Sequence, residues 1–455
     1  MAGKLKKVFQ EYPKSFWIIT LASFIDSIGS FMLFPFFGFY LRSRFNIDYT
    51  GIGLIFTMYS VGGIVGGIIG GALTDRYGRK FVMLFGLVSS AFGTLAMGFV
   101  QTIEAFYVLA IISGLLGSTG GPARQAMITD ILPPKKVSEG FGILRVAANL
   151  SATIGPSLGG FVSATTNNYM FLFIADAITS TITAIIVIFT IPETKPKPTT
   201  PKLEQIEKNE QMIHTVGIDE ISSPKKEKNF LHTLKGYFQV LKDGAFMLFI
   251  LVSALMSLVY MQMNSTLSVY LLDVHAFPEE LFGLLLSMNA LMVVLFQFWV
   301  TRKISKYSPM IMMAIGTLLY AVGFSMYGYV SEFWLFYFAM FIITIGEMID
   351  APFGMAVIGL FAPEDKRGRY MAVGSLSWMI PSLFGIVVAG LIMDNLSPSS
   401  LWYFAGALAL IAALGYLGLH KITKKRFIEI EKKAAAQLDS QVIDDSPQTL
   451  QKPDE

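Results

Sequence analysis

Long apolar stretches separated by short polar connections recur along the whole chain, at approximately 15–41, 51–74, 81–100, 105–127, 140–163, 169–191, 245–272, 281–300, 310–330, 333–361, 370–393 and 401–419. Crossing about 30 Å of hydrocarbon takes roughly 20 largely apolar residues in a helix. Each stretch meets that length, and none shows the short alternating strands of a barrel. The pattern predicts an all-α membrane protein with twelve transmembrane helices, spans one to twelve. Six spans precede a polar stretch and six follow it. The predicted organisation is an N-terminal six-helix bundle at 1–191, a linker at 192–243, a C-terminal six-helix bundle at 244–420 and a tail at 421–455. The linker opens with Pro192-Glu193-Thr194-Lys195-Pro196-Lys197-Pro198 and continues through mixed charges, a composition that cannot bury enough apolar area to fold alone. Near its end Phe230, Leu231, Leu234, Phe238 and Leu241 recur at helical spacing, predicting an amphipathic helix on the membrane surface. The charged tail reads as helical through about Gln437.

Composition agrees with this pattern. With 53% hydrophobic and 15% charged residues, the chain has too little polar material to cover a soluble surface. The absence of cysteine excludes disulfides, thiolate catalysis and cysteine-ligated metals. His214, His232, His275 and His420 all fall outside the apolar stretches, so no histidine-based metal site is expected in the membrane. The first stretch is too long for a removed signal peptide and reads as a retained span. Basic residues concentrate on one side: Lys4, Lys6, Lys7, Lys14, Arg76, Arg79, Lys80, Lys135, Lys136, the linker lysines, Arg302, Lys303, Lys306, Lys366, Arg367 and Arg369, against Arg42 and Arg44 on the other. This bias predicts a multi-pass protein of the cell membrane with both termini cytoplasmic. The basic clusters mark topology and call for no nucleic-acid partner.

Between spans two and three runs Gly71-Ala72-Leu73-Thr74-Asp75-Arg76-Tyr77-Gly78-Arg79-Lys80, followed by Leu84. Membrane-flanking charge explains the basic residues but not Asp75 or Gly78. The run resembles the signature loop of the major facilitator superfamily. That resemblance implies two six-helix bundles with nested inverted repeats and a substrate site where they meet. Gly71, Asp75, Arg76, Gly78 and Arg79 are then expected to form a conformational latch. Asp75 would rest near Tyr370 at the start of span eleven, where the helix dipole favours a carboxylate. The corresponding loop after span eight, Ile304 to Met310, retains only Tyr307 and one basic residue of the pattern. Gly62, Gly66 and Gly70 form one small-residue face of span two, and Gly63, Gly67 and Gly71 the adjacent one. Such faces admit close backbone approach. The expected partner is span eleven, with Gly374, Gly385 and Gly390.

Span five carries Gly142, Ser151, Gly155, Pro156, Gly159 and Gly160 at spacings similar to the span-five motif of the superfamily's drug:proton antiporters, with Ser151 in place of one glycine. Pro156 removes a backbone donor and bends the helix, while the flanking glycines admit a neighbour. Export rather than uptake is implied by resemblance, not by the kink.

Ionisable groups at membrane depth are costly and mark functional sites. Asp26 of span one and Glu347 and Asp350 of span ten are the candidate proton-coupling or substrate carboxylates, and Glu347 leads. Burial favours the neutral form of a carboxyl group and so opens proton exchange near neutral pH. Asp350 precedes Pro352 and alternatively stabilises a broken stretch of span ten. Arg145 on span five either supplies the coupling arginine or snorkels toward the cytoplasm; the position where the family carries its span-four arginine is Ser113 here, and Arg124 lies nearer the end of that span. Asp176, near the outer end of span six, reads as interfacial. Tyr260, Gln262, Asn264 and Tyr270, with Phe34, Phe37 and abundant methionine, are cavity candidates offering soft apolar contacts around few polar points.

No Walker loop, zinc-binding His-Glu-x-x-His or Gly-x-Ser-x-Gly nucleophile occurs. The chain is therefore not expected to be an enzyme, with no catalytic residues, metal or cofactor and a proton gradient as energy source. The expected function is proton-coupled export of amphipathic small molecules by alternating access, by a monomer in the bilayer. The alternative is a proton-coupled symporter importing a sugar, peptide or other nutrient.

Overall fold

The computed structural model describes residues 10–133, 136–195, 238–363 and 366–444. Among them the regular structure is entirely helical. Span one runs from Lys14–Leu33 through a 3-10 turn at Phe34–Phe36 into Phe37–Phe45, and span seven repeats this plan as Gly244–Tyr260, Met261–Asn264 and Thr266–His275. Spans two, three and six are single helices, Tyr49–Tyr77, Arg79–Phe99 and Met170–Thr190, while span four is Ile103–Gly117 followed by Gly120–Ile131. Spans eight, nine and ten are Glu279–Ile304, Pro309–Met326 and Phe333–Phe361; span eleven is Arg367–Gly374 and Leu376–Asn395; span twelve is Ser400–Asp444, which carries the predicted tail helix past Gln437. Asp48, Thr102 and Asp243 cap spans two, four and seven by accepting from the backbone N–H of Gly51, Ala105 and Phe246.

Among the described residues eleven helices are long and apolar enough to cross a membrane by length and composition. The twelfth, span five at Val137–Thr166, is 30 residues long, but its Gly, Ser, Thr and Asn content lowers its hydropathy. It packs between spans one and eight, so protein covers much of its surface. Of the predicted linker helix, residues 230–237 lie outside the described residues.

The two halves repeat one packing scheme. Span one touches five and six, two touches four, and three touches four and six; span seven touches eleven and twelve, eight touches ten, and nine touches ten and twelve. The halves meet where span two crosses eleven and span five crosses eight. We call the side carrying the linker the linker face and the opposite side the far face.

The two faces differ. Toward the far face one apolar core runs through both halves, holding Phe36 and Phe39 with Phe282 and Leu267. Toward the linker face there are two separate cores, one around Phe16, Val82 and Met127 and the other around Phe246, Phe361 and Tyr416. The molecule is closed at the far face and open at the linker face.

Candidate functional site

The opening between the halves leads to a cavity of about 520 Å³ lined by Arg145, Tyr260, Glu347, Asp350, Trp378 and Tyr416 among others. Arg145 also lines an adjoining cavity of about 420 Å³ with Ser27 and Arg124. Glu347 sits on the cavity-facing side of span ten. Its carboxylate accepts from the Tyr260 hydroxyl at 2.9 Å and from Asn289 Nδ2 at 2.9 Å, and Asn289 also donates to Thr344 Oγ1 at 3.0 Å. Donors from spans seven and eight thus hold one carboxylate of span ten. Asp350, one turn further along, leaves its Oδ1 buried without a hydrogen-bond partner. A close approach places it: span nine contributes Gly316, where an added Cβ would lie 3.1 Å from the Asp350 Cβ. Phe249, Met256, Met313 and Met371 complete an apolar wall. Two carboxylates facing one arginine across aromatic and methionine surface can hold a positively charged amphipathic group or protons.

Of the other cavity candidates, Gln262 is buried elsewhere, donating to Gly385 O at 3.2 Å and accepting from Thr266 Oγ1 at 2.6 Å. Asn264 closes the 3-10 turn of span seven outside this lining, and Tyr270 is fully buried with its hydroxyl donating to Tyr327 O at 2.7 Å. Phe34 and Phe37 line a small cavity inside the N-terminal half instead. Sequence reading missed Asn289, although it and Gln297 are the two amides within the apolar run 281–300, a usable signal. It also missed Trp378, which carried no signal.

Asp26 is separate from this cavity. Its Oδ2 pairs with Arg124 at 3.5 Å and its Oδ1 accepts from Ser180 Oγ at 2.9 Å, all within the N-terminal half. Asp176 is not interfacial: it is 4% exposed and accepts from Ser30 Oγ at 3.2 Å.

The signature loop is built around Gly78, whose φ of 103° disfavours any side chain, and an added Cβ there would strike the Glu193 carboxylate. Glu193 accepts from the backbone N–H of Arg79 at 2.9 Å and Lys80 at 3.1 Å, capping span three. Burial raises the Glu193 carboxyl, but the backbone N–H donors of Lys195, Arg79 and Lys80 outweigh it and hold the group below its ordinary value. Arg79 pairs with Asp130 at 3.0 Å and with Asp75 at 3.6 Å. Asp75 itself is 82% exposed, and Tyr370, its expected neighbour, instead donates to Asp243 Oδ2 at 3.0 Å. The expected contact of Asp75 with span eleven is absent in this state, because the linker face is open.

The glycine faces divide accordingly. Gly62, Gly66 and Gly70 press against the backbone of span four at Ile111, Leu115 and Thr119, not against span eleven, while Gly67 and Gly71 face open space. Span two meets span eleven near the far face, where a Cβ at Gly53 would lie 2.7 Å from Ile386 O and one at Gly390 2.6 Å from Thr50 Cα. Gly374 faces span ten at Ile358 and Gly385 faces span seven at Met261. In the span-five motif, Gly155 and Gly159 fit against Phe31 and Phe36 of span one, and Gly160 against Glu279 and Glu280 of span eight. Pro156 lies inside the helix, Gly142 faces open space, and Ser151 donates to Phe24 O at 3.0 Å.

The far face is tied across the halves by polar contacts. Asp394 at the end of span eleven accepts from the N–H groups of Tyr49 at 3.2 Å and Thr50 at 2.8 Å and from the Thr50 hydroxyl at 2.6 Å. Arg42 pairs with Asp273 at 2.9 Å, Ser157 donates to Ser287 Oγ at 2.7 Å, and Ser163 and Tyr169 both donate to Glu279.

The profile of the Major Facilitator Superfamily matches residues 19–315 and 274–448. A "Na(+), Li(+), K(+)/H(+) antiporter" of Planococcus maritimus is 25% identical over 446 residues, covering 92% of this chain and 99% of that protein. The "Tetracycline resistance protein, class H" of Pasteurella multocida is 32% identical over 164 residues, covering 36% of this chain and 41% of its own. Among solved structures, a POT family transporter crystallised with a thioalcohol-conjugated peptide superposes with a TM-score of 0.71 at 16% identity, over 91% of this chain and 97% of that one, a likeness of fold. Two bundles of repeated packing around a cavity with carboxylates at mid-span depth, together with the profile match, place this multi-pass membrane chain in the Major Facilitator Superfamily, as a transporter and not an enzyme.

Proposed function

We propose that the protein is a proton-coupled antiporter exporting amphipathic, positively charged small molecules by alternating access. With the linker face cytoplasmic, as the basic-residue bias implies, the structure is the inward-open state, ready to take substrate from the cell interior. The observation that carries the reading is the Glu347–Asp350 cavity. A carboxylate oxygen without a partner, beside a second carboxylate and walled by Tyr260, Trp378 and methionines, recognises an organic cation with a lipophilic body. A cavity for a sugar or peptide would instead present many paired donors and acceptors. Glu347 and Asp350 alternate between proton and substrate, Arg145 biases that exchange from the opposite wall, and the proton gradient supplies the energy without a cofactor.

Exchange of alkali cations for protons is a second reading. It is favoured by the Planococcus maritimus antiporter, which aligns over nearly the whole chain. The aromatic and methionine walls favour the organic cation, since a dehydrated alkali ion calls for hard oxygen ligands all round.

The test is a growth screen of overexpressing and deletion cells against amphipathic cations, neutral compounds and alkali salts, followed by transport into inverted membrane vesicles. Uptake of an organic cation that collapses with a protonophore and is lost in Glu347→Gln supports the proposal. Protection against alkali salts alone supports the second reading. Transport surviving the protonophore contradicts both.

A further inference from the structure

Asp176 of span six has no role in the cavity just described, yet its burial demands one. Span one comes close at Gly29, where an added Cβ would lie 2.9 Å from Asp176 Cα, and this approach sets Ser30 Oγ as a donor to Asp176 Oδ1 at 3.2 Å. Among the described residues, the ion pairs made by cations of the N-terminal half go to Asp26, Asp75, Asp130, Glu11, Glu139 and Asp273, and none goes to Asp176. A carboxylate taken out of water without a counter-charge costs several kcal/mol even after relaxation. Something must neutralise it.

Two small cavities adjoin it. One of about 90 Å³ is lined by Asp176, Ser30, Tyr59, Ser90 and Thr94 with apolar neighbours. The next, of about 80 Å³, is lined by Asp26, Ser30, Ser90 and Arg124. They share Ser30 and Ser90, and each has room for water beside polar partners. Arg124 then borders the 420 Å³ cavity, whose lining reaches Ile128 and Phe141 near the linker-face ends of spans four and five. Asp176 follows the far-face start of span six by six residues and Arg124 precedes the linker-face end of span four by seven, so each lies about 10 Å of helix from its face. The polar thread runs through the middle of the bundle, between these two depths.

We infer that Asp176 and Asp26 are successive proton carriers on a route through the N-terminal bundle, separate from the substrate carboxylates of the C-terminal half. The inference rests on the proton-coupled reading above. The titratable or charged groups along the route are Asp26 on span one, Tyr59 on span two, Arg124 on span four and Asp176 on span six; span three contributes only the hydroxyls of Ser90 and Thr94. The proton of the Asp176 carboxyl passes by way of the Ser30 hydroxyl or cavity water to the Asp26 carboxylate. Asp176 is left as carboxylate and Asp26 as carboxyl, and no other bond changes. When Asp26 releases the proton toward the linker face, Arg124 at 3.5 Å stabilises the carboxylate left behind.

The test is infrared difference spectroscopy of the purified full-length protein between acid and mildly alkaline pH, in H2O and D2O. The protonated-carboxyl stretch should contain a component that Asp176→Asn removes, that Asp176→Glu restores at a shifted frequency, and that Ser30→Ala shifts through loss of the hydroxyl donor. An Asp176→Asn spectrum identical to wild type overturns the inference. If that variant does not fold, an unmoved band in both Asp176→Glu and Ser30→Ala overturns it equally. A band bleached by Na+, Li+ or K+ at constant pH would make Asp176 a metal-cation site and also overturn it. Failure of the proton-coupled reading looks different: the band titrates as described, but no transport follows an imposed pH gradient.

Discussion

The two ends of the crossing between spans two and eleven are built alike and stand in opposite conditions. At the far end Asp394, near the end of span eleven, is docked on the N-terminus of span two through two backbone N–H groups and a hydroxyl. At the linker end Asp75, near the end of span two, points into open space with span eleven out of reach. Each helix therefore ends in a carboxylate suited to the partner's positive N-terminal end. In this state only one of the two contacts is made. On the proposed alternating-access cycle this seam would carry a latch at either end, and closing one end would supply the charge-dipole energy that opening the other gives up.

The comparison breaks most severely at Asp75. Asp75→Asn leaves the present state untouched, since the carboxylate contacts little but Arg79 here, while removing the contact needed when the linker face closes. Export should be largely lost at normal membrane levels, measured as transport per molecule in inverted vesicles. Wild-type export would reduce Asp75 to a membrane-flanking charge. Lys306→Asp in the degenerate second-half loop should leave export near normal.

Asp394→Asn attacks the engaged end. Charge-assisted hydrogen bonds contribute roughly 1.5–3 kcal/mol, so loss of the charge should raise the far-open population on the order of tenfold. Because the natural chain has no cysteine, thiol labelling of Thr57→Cys from the far face reads this without background. Unchanged labelling would show that the apolar core alone holds the far face shut.

Gly78→Ala should lower thermal stability by about 1–3 kcal/mol, the usual cost of a strained backbone, with the added methyl also displacing Glu193 from the span-three N-terminus. The smallest effect belongs to Glu193→Gln. Glu193 titrates below its ordinary value when folded, so its contribution is present above the unfolded carboxylate value near about 4.3 and fades as pH falls through the lower folded one. The wild-type advantage in melting temperature over Glu193→Gln should be constant near neutral pH and vanish in acid.

Much of the fold was legible because hydropathy records what a bilayer demands of each segment. Span five was the hardest by hydropathy alone: Gly155, Gly159 and Gly160 face spans one and eight, so packing, not lipid, sets much of its composition. Glu347 and Asp350 were conspicuous as charges in apolar runs, but which partners would surround them was not, because Asn289 and Tyr260 arrive from other spans. Asp176 was misplaced because distance from a helix end says little about burial when a neighbour such as Gly29 lets another helix close over it. Asp75 was assigned a contact with span eleven by resemblance, and this structure does not contain that contact. Asp394 looked like any residue at a span end, since a latch formed between halves leaves no local sequence signal.

The most direct test is a pair of distances measured in the same molecules by double electron–electron resonance. One spin pair replaces Tyr77 and Lys366 at the linker face, and the other replaces Arg44 and Leu396 at the far face, both in an otherwise native chain. As pH or an exported compound shifts the equilibrium, the account predicts that the linker-face distance shortens in the same fraction of molecules in which the far-face distance lengthens, with Asp394→Asn favouring the far-open population and Asp75→Asn abolishing it. Two faces that open and close together, or a far face that stays shut under every condition, would contradict it.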